Sequence, residues 1–167
     1  MPAEAARRLY YVDANVLLAY VGNETGRADI VEALLDEARR GEIEIITSVL
    51  SIAEVAFGAQ ERDAGLSPEG EANIDKLWQP ASPITLVDVS ETTAREARRL
   101  IRLSKERRIA GLRSMDAMHL ASARLHGADE IFTFEERMRS GWQELAGLPV
   151  NEPSVTNPQL DYGPGGP

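Results

Sequence analysis

The sequence predicts an α/β domain in which helices cover both faces of a mainly parallel sheet of four or five strands. Short apolar runs alternate along the chain with stretches of helical period, the pattern of a layered α/β fold. The runs close on turn or capping residues, as buried parallel strands do. The length, 167 residues with 43% hydrophobic and 27% charged, suits one domain, and a chain of that size buries about 70% of its unfolded surface.

Residues 9–12 form the first apolar run, closed by Asp13, and read as a buried strand. Over 28–40, Ile30, Val31, Leu34, Leu35 and Ala38 recur at helical spacing, and Arg39, Arg40 and Gly41 supply a C-terminal signal. Residues 43–46 follow as a second strand, after which Thr47 or Ser48 caps a helix reaching about residue 63, ended by Gly65. Ser67 then Pro68 places proline at a first helical position and opens a helix expected to reach Trp78. Beyond the loop between Pro80 and Pro83, residues 84–89 read as the third strand. Ser90 caps a long amphipathic helix with Ala97, Leu100, Ile101 and Ser104 on one face and arginines on another. Ser114 is placed to cap a helix over 115–126, which Gly127 ends, and residues 130–132 form a fourth strand. The domain is expected to occupy 1–150. Residues 151–167, with four prolines and a Gly-Pro-Gly-Gly-Pro end, form a tail whose composition does not build a core.

Composition narrows the function. Without cysteine there is no disulfide framework, thiolate zinc site or cysteine nucleophile. The apolar stretch over 9–21 is broken by Asp13 and Asn15 and lacks a signal-peptide cleavage pattern. No stretch approaches the roughly 20 apolar residues of a membrane span, so a soluble, cytoplasmic protein is expected. The net charge of −9 opposes phosphate binding on average. From Arg95 to Arg113, however, eight basic residues face two acids, a local +6 that leaves −15 for the rest.

Four acids stand where chemistry has a use for them, each with a structural alternative. Asp13 ends a buried strand, where a charge is costly unless partnered, and a metal ion is one such partner; a turn with Asn15 is another use for it. Glu54 has apolar neighbours in Ile52, Val55 and Ala56, which sets it on or beside a buried face; Ser51 and Glu54 also have capping-box spacing. Asp116 opens its helix, where the helix dipole favours an acid whatever its chemistry, with His119 one turn later left unassigned. In Phe-Thr-Phe-Glu-Glu-Arg, Thr133 and Glu136 have capping-box spacing, which leaves Glu135 the freer acid to point elsewhere.

Together these segments resemble a known family. Val-Asp-Ala-Asn-Val-Leu-Leu around Asp13, Ser-Ile-Ala-Glu-Val around Glu54, Ser-Met-Asp-Ala-Met-His-Leu-Ala around Asp116 and the late Thr-Phe-Glu resemble PIN domains, VapC-type toxins most of all, over about residues 9–150. The family usually has aspartate where this chain has Glu135. The resemblance implies cleavage of RNA with Mg²⁺ or Mn²⁺, an antitoxin partner and a homodimer. Asp13, Glu54, Asp116 and Glu135 would hold the metal, with Asp13 and Asp116 anchoring one ion. Asn15 would orient Asp13 or the phosphate, Thr133 would contact substrate or cap, and Arg98, Arg102 and Arg113 would draw in the RNA backbone. A PIN fold without catalysis, serving as a binding module or scaffold, is the competing reading. Haloacid-dehalogenase-like phosphatases require a second aspartate where Asn15 stands, and receiver domains require paired early acids and a late lysine after a strand.

Overall fold

Each apolar run forms a strand, and every strand pairs in parallel. The computed structural model describes residues 7–62 and 68–155. In chain order the elements are β1 (Arg8–Val12), α1 (Ala14–Val21), α2 (Ala28–Arg39), β2 (Ile43–Ser48), α3 (Leu50–Arg62), α4 (Pro68–Lys76), β3 (Ile84–Val87), α5 (Glu91–Glu106), α6 (Ser114–Leu125), β4 (Glu130–Phe132), α7 (Glu136–Ala146) and β5 (Val150–Asn151). The sheet order is β3-β2-β1-β4-β5. Tyr10 lies opposite Ile45 of β2, and Tyr11 opposite Ile131 of β4.

Because successive side chains of a strand point to opposite faces, β1 feeds two cores. Tyr10 and Val12 pack with Leu17 of α1, Leu34 of α2, Val55 of α3 and Ile74 of α4. Tyr11 packs on the other face with Leu100 of α5, Leu120 of α6 and Trp142 of α7. Helices thus cover both faces, completing the three-layer α/β/α arrangement.

The structure departs from expectation in five places. Helix α1 starts directly after Asp13, where sequence period gave no helix; Ala14, Val16, Leu17, Leu18 and Ala19 are all buried, and a helix apolar on every side shows no amphipathic stripe. Strand β3 stops at Val87 and helix α4 at Lys76, each two residues early. Ser114 lies inside α6, and Arg113 is the flanking residue. Strand β5 takes in Asn151, whose carbonyl accepts the Thr133 N–H at 3.0 Å, and Pro153 is buried. Gly65, Ser67 and residues 156–167 lie outside the described residues. Among the described residues, no helix is long and apolar enough to cross a membrane.

Helices α1 and α3 meet at Gly58, where an added Cβ would stand 2.8 Å from Leu18 Cδ1 and 3.1 Å from Cδ2. Helix propensity alone favours alanine over glycine by about 1 kcal/mol. The steric conflict cancels or reverses that gain, so Gly58→Ala is expected to melt at or below the wild-type temperature. A rise of several degrees in thermal unfolding would contradict the close packing.

Candidate active site

Strand order reverses between β1 and β4, since the chain moves outward from β1 through β2 and β3 and then returns to β4. In parallel sheets the crevice beyond the carboxyl ends of the strands at such a point is where functional groups collect. Asp13 follows β1 there, and its N–H reaches Phe132 O of β4 at 3.3 Å. Its Oδ1 accepts the Val16 N–H at 3.1 Å, which caps α1, and its Oδ2 accepts the Thr133 hydroxyl at 2.5 Å. Thr133 is fully buried, and its oxygen accepts the Glu135 N–H at 2.9 Å. The single hydroxyl proton therefore goes to Asp13, and Thr133 acts by holding that carboxylate. Burial pushes the Asp13 pKa from 3.8 up to about 6, against the opposing pull of the Thr133 hydroxyl, His119 and the Val16 N–H.

Glu54 comes from α3. Its Oε2 lies 2.6 Å from His119 Nε2, while His119 Nδ1 lies 2.6 Å from the Tyr11 hydroxyl. Tyr11 in turn accepts the Ser48 N–H at 3.2 Å. Burial, the largest cause, raises the Tyr11 pKa, so the phenol keeps its proton. With neutral His119, the phenol donates to Nδ1 and Nε2–H donates to Glu54. Burial depresses the His119 pKa, but the hydrogen bond and charge of Glu54, with Asp13 and Asp116, outweigh it and leave the pKa above 6.5. Ser51 bonds Thr47 at 2.8 Å, and Thr47 donates to Val12 O at 2.6 Å. Of the two expected caps, Ser48 lies two residues before the start of α3 and accepts the Leu50 N–H at 3.2 Å, while Val49 is the residue that flanks the helix.

Asp116 in the first turn of α6 accepts the Arg113 N–H at 3.3 Å. Its pKa is raised by burial, a rise that the Arg113 N–H, Arg137, His119 and the Arg113 charge moderate. Asp13, Glu54 and Asp116, from three separate elements, line one cavity of about 380 Å³ together with Asn15, Arg113 and His119. A larger cavity of about 600 Å³, beside Tyr20, Arg39 and Lys76, has no carboxylate in its lining.

The remaining expected residues divide. Glu135 lines an adjoining cavity with Asn15, Glu24, Arg27 and Phe134, and pairs with Arg137 at 3.0 Å. The Arg137 hydrogen bond is the main reason that its pKa falls below the usual value. Arg98 and Arg102 are exposed on α5 and line neither cavity; among the described residues neither has an acidic partner. Sequence reasoning left His119 without a role and did not single out Tyr11 or Arg137. The spacing of Asp116 and His119, one turn apart on α6, was the available signal for His119; nothing local marked the other two.

The PIN domain model matches residues 10–141. This chain belongs to the PIN domain family. No curated protein matches it. Among solved structures the PIN domain is similar to VapBC2 from Rickettsia felis bound to a promoter DNA fragment, with 17% identity, TM-score 0.63, and 86% of this chain and 98% of that one covered. It is similar to FitAcB from Neisseria gonorrhoeae, with 18% identity, TM-score 0.62, and coverage of 86% and 97%. It is also similar to VapC20 from Mycobacterium tuberculosis, a sarcin-ricin loop cleaving toxin, with 15% identity, TM-score 0.58, and coverage of 76% and 90%. At such identities these structures speak for the shared fold.

The donor set of this PIN domain suits a hard divalent cation. Its acids offer only oxygen, and Asp13 is buried at a cost that a positive charge would relieve. Among the described residues, no three carboxylate or imidazole groups are gathered tightly enough to enclose an ion alone. Mg²⁺ does not require that, since it keeps several waters and takes one or two carboxylates.

The raised Asp13 pKa has a measurable consequence without metal. A folded-state pKa above the unfolded one gives stability that is present below about pH 4 and lost as pH rises through about 6. The loss amounts to up to about 3 kcal/mol. Asp13→Asn, similar in shape and uncharged, is expected to melt several degrees above wild type at pH 8 in EDTA, with the difference closing by pH 4. A gap that stays constant with pH would show that Asp13 carries no burial cost.

Proposed function

We propose that this PIN domain is a divalent-metal-dependent endoribonuclease, the toxin of a cytoplasmic toxin–antitoxin pair. The observation that carries this reading is the meeting of Asp13, Glu54 and Asp116 in one cavity at the point where the sheet order reverses. Two carboxylates about 5 Å apart repel by roughly 3 kcal/mol at an effective dielectric near 20. Three acids around one cavity therefore favour a bound cation.

Asp13 and Asp116 would hold Mg²⁺ or Mn²⁺, with Glu54 completing the site directly or through water. Such an ion supplies Lewis-acid polarisation of the phosphate and a more acidic water for in-line attack. The chain itself does the positioning. Thr133 and the Val16 N–H fix both oxygens of Asp13, His119 fixes Glu54, and the Arg113 N–H fixes Asp116. Arg113, at the cavity wall, would meet a phosphate oxygen, and Asn15 would orient Asp13 or the phosphate. Arg98 and Arg102 would add positive potential for the RNA backbone from α5. Glu135 is the fourth expected acid and would join the site on leaving Arg137.

The toxin role rests on the motifs and on the fold shared with VapC-type proteins. By the same reasoning an antitoxin segment and a second copy of the chain are its proposed partners. A non-catalytic binding or scaffold role is the second reading, favoured by the engagement of Glu135 with Arg137 in the adjoining cavity.

Incubation of the purified chain with a mixed RNA pool separates the two. Cleavage is expected in Mn²⁺, none in EDTA, and at least about a hundredfold less in Asp13→Asn, since a lost metal contact removes several kcal/mol of transition-state stabilisation. RNA left intact in every condition would favour the scaffold. Metal binding has its own readout. At a hundred times the dissociation constant, Mn²⁺ adds about 2.7 kcal/mol, or about 5–10 °C for a chain of this length. The rise should shrink in Asp116→Asn, and an unchanged melting temperature in the wild type would remove the metal site.

A further inference from the structure

Past Asn15, the carboxylate cavity adjoins the smaller one that contains Glu135. Asn15 lines both. The smaller cavity measures about 190 Å³, room for one planar group, and its wall includes a cation–π pair. Cζ of Arg27 lies 4.6 Å from the centroid of the Phe134 ring, and Glu24 holds the guanidinium through a 3.1 Å ion pair. Phe134 is half-buried against the core on the β1–α2 side, while Arg27 is exposed. Both belong to segments flanking the site: Arg27 immediately precedes α2, and Phe134 follows Thr133, which holds Asp13.

Aromatic rings and guanidinium planes are the surfaces on which unpaired bases of single-stranded RNA stack. Charge decides between a base and a second backbone phosphate. The cavity carries two carboxylates, Glu24 and Glu135, and the guanidiniums beside them, Arg27 and Arg137, are already held in ion pairs with these acids, so a phosphate is disfavoured for want of an unopposed cation to draw it in. A neutral base is not, and its amino and imino donors meet carboxylate and amide acceptors. We infer that Arg27 and Phe134 form a stacking subsite for one unpaired nucleobase flanking the phosphate that enters the Asp13, Glu54 and Asp116 cavity. This inference rests on the ribonuclease reading for the identity of the ligand.

The test compares a short single-stranded RNA with a ribose-phosphate chain of equal length lacking bases. Binding is followed by fluorescence anisotropy in Ca²⁺ and cleavage in Mn²⁺, using the full chain. Wild type is expected to bind the base-bearing RNA about tenfold more tightly, the scale of one base–aromatic stack. Phe134→Leu should lose most of that preference while binding the bare backbone as wild type does, and its kcat/KM should fall about tenfold, chiefly through KM. Arg27→Gln, at an exposed position, should lose preference in the same way and guards against misfolding of the first variant. Unchanged preference in both variants, or no preference in wild type, overturns the subsite. A protein partner's aromatic side chain as the true occupant would give that same result. Preference that depends on Phe134 without cleavage in Mn²⁺ keeps the subsite and sinks the nuclease reading; cleavage with indifferent variants does the reverse.

Discussion

One carboxylate ties this fold together: Asp13, sealed between the ends of β1 and β4, joins strand to helix and one half of the sheet to the other. Its two oxygens have separate uses, one capping α1 and one receiving the Thr133 hydroxyl from the segment after β4. No loop residue intervenes between strand, aspartate and helix, so the direction of α1 follows from the position of this side chain. An ionised carboxylate buried among apolar neighbours is destabilising unless hydrogen bonds and a cation offset the lost hydration. Two donors meet part of that cost, and the cavity beside it is where the proposed cation would meet the rest.

The second polar element is the row from Ser48 through Tyr11 and His119 to Glu54. It crosses from the sheet to α6 and then to α3, so it fixes Glu54 relative to the strand that delivers Asp13. His119 and Tyr11 are buried, and the Tyr11 hydroxyl and both His119 ring nitrogens have partners, the condition under which a buried network rigidifies a site. Precision of this kind conflicts with stability, since acids gathered around one cavity repel each other. Functional sites commonly carry such a cost.

Charge outside the site is arranged with less economy. Several arginines of α5 and the loop after it are taken up locally, Arg95 by Glu91, Arg99 by Glu96 and Arg107 by Glu144. Exposed pairs of this type contribute little to stability, yet Glu91 and Glu144, which lie outside the segment, offset two charges of the +6 that the sequence places there. Arg98 and Arg102 keep their charge facing solvent. Nearer the carboxylates, positive charge comes from Arg113 at the cavity wall and from Arg137, which pairs with Glu135 and lies within electrostatic reach of Asp116.

Sequence alone determined the layered α/β class and the parallel strands, because short-range period and capping leave local traces, whereas the three acids that share the cavity were brought together by the resemblance of their motifs to PIN domains. Asp13 was legible as a charge at the end of a buried strand, and Glu54 as an acid on an apolar face. Helix α1 was not legible, since burial on all sides erases the periodic contrast that marks a helix. Tertiary structure alone decided which hydrogen bonds win. Thr133 had the spacing to cap with Glu136 but gives its proton to Asp13, 120 residues away, and Ser51 bonds Thr47 while Glu54 meets His119 from α6. Local spacing limits the partners a polar side chain has within reach, whereas the choice among them depends on which chain segments packing has brought alongside.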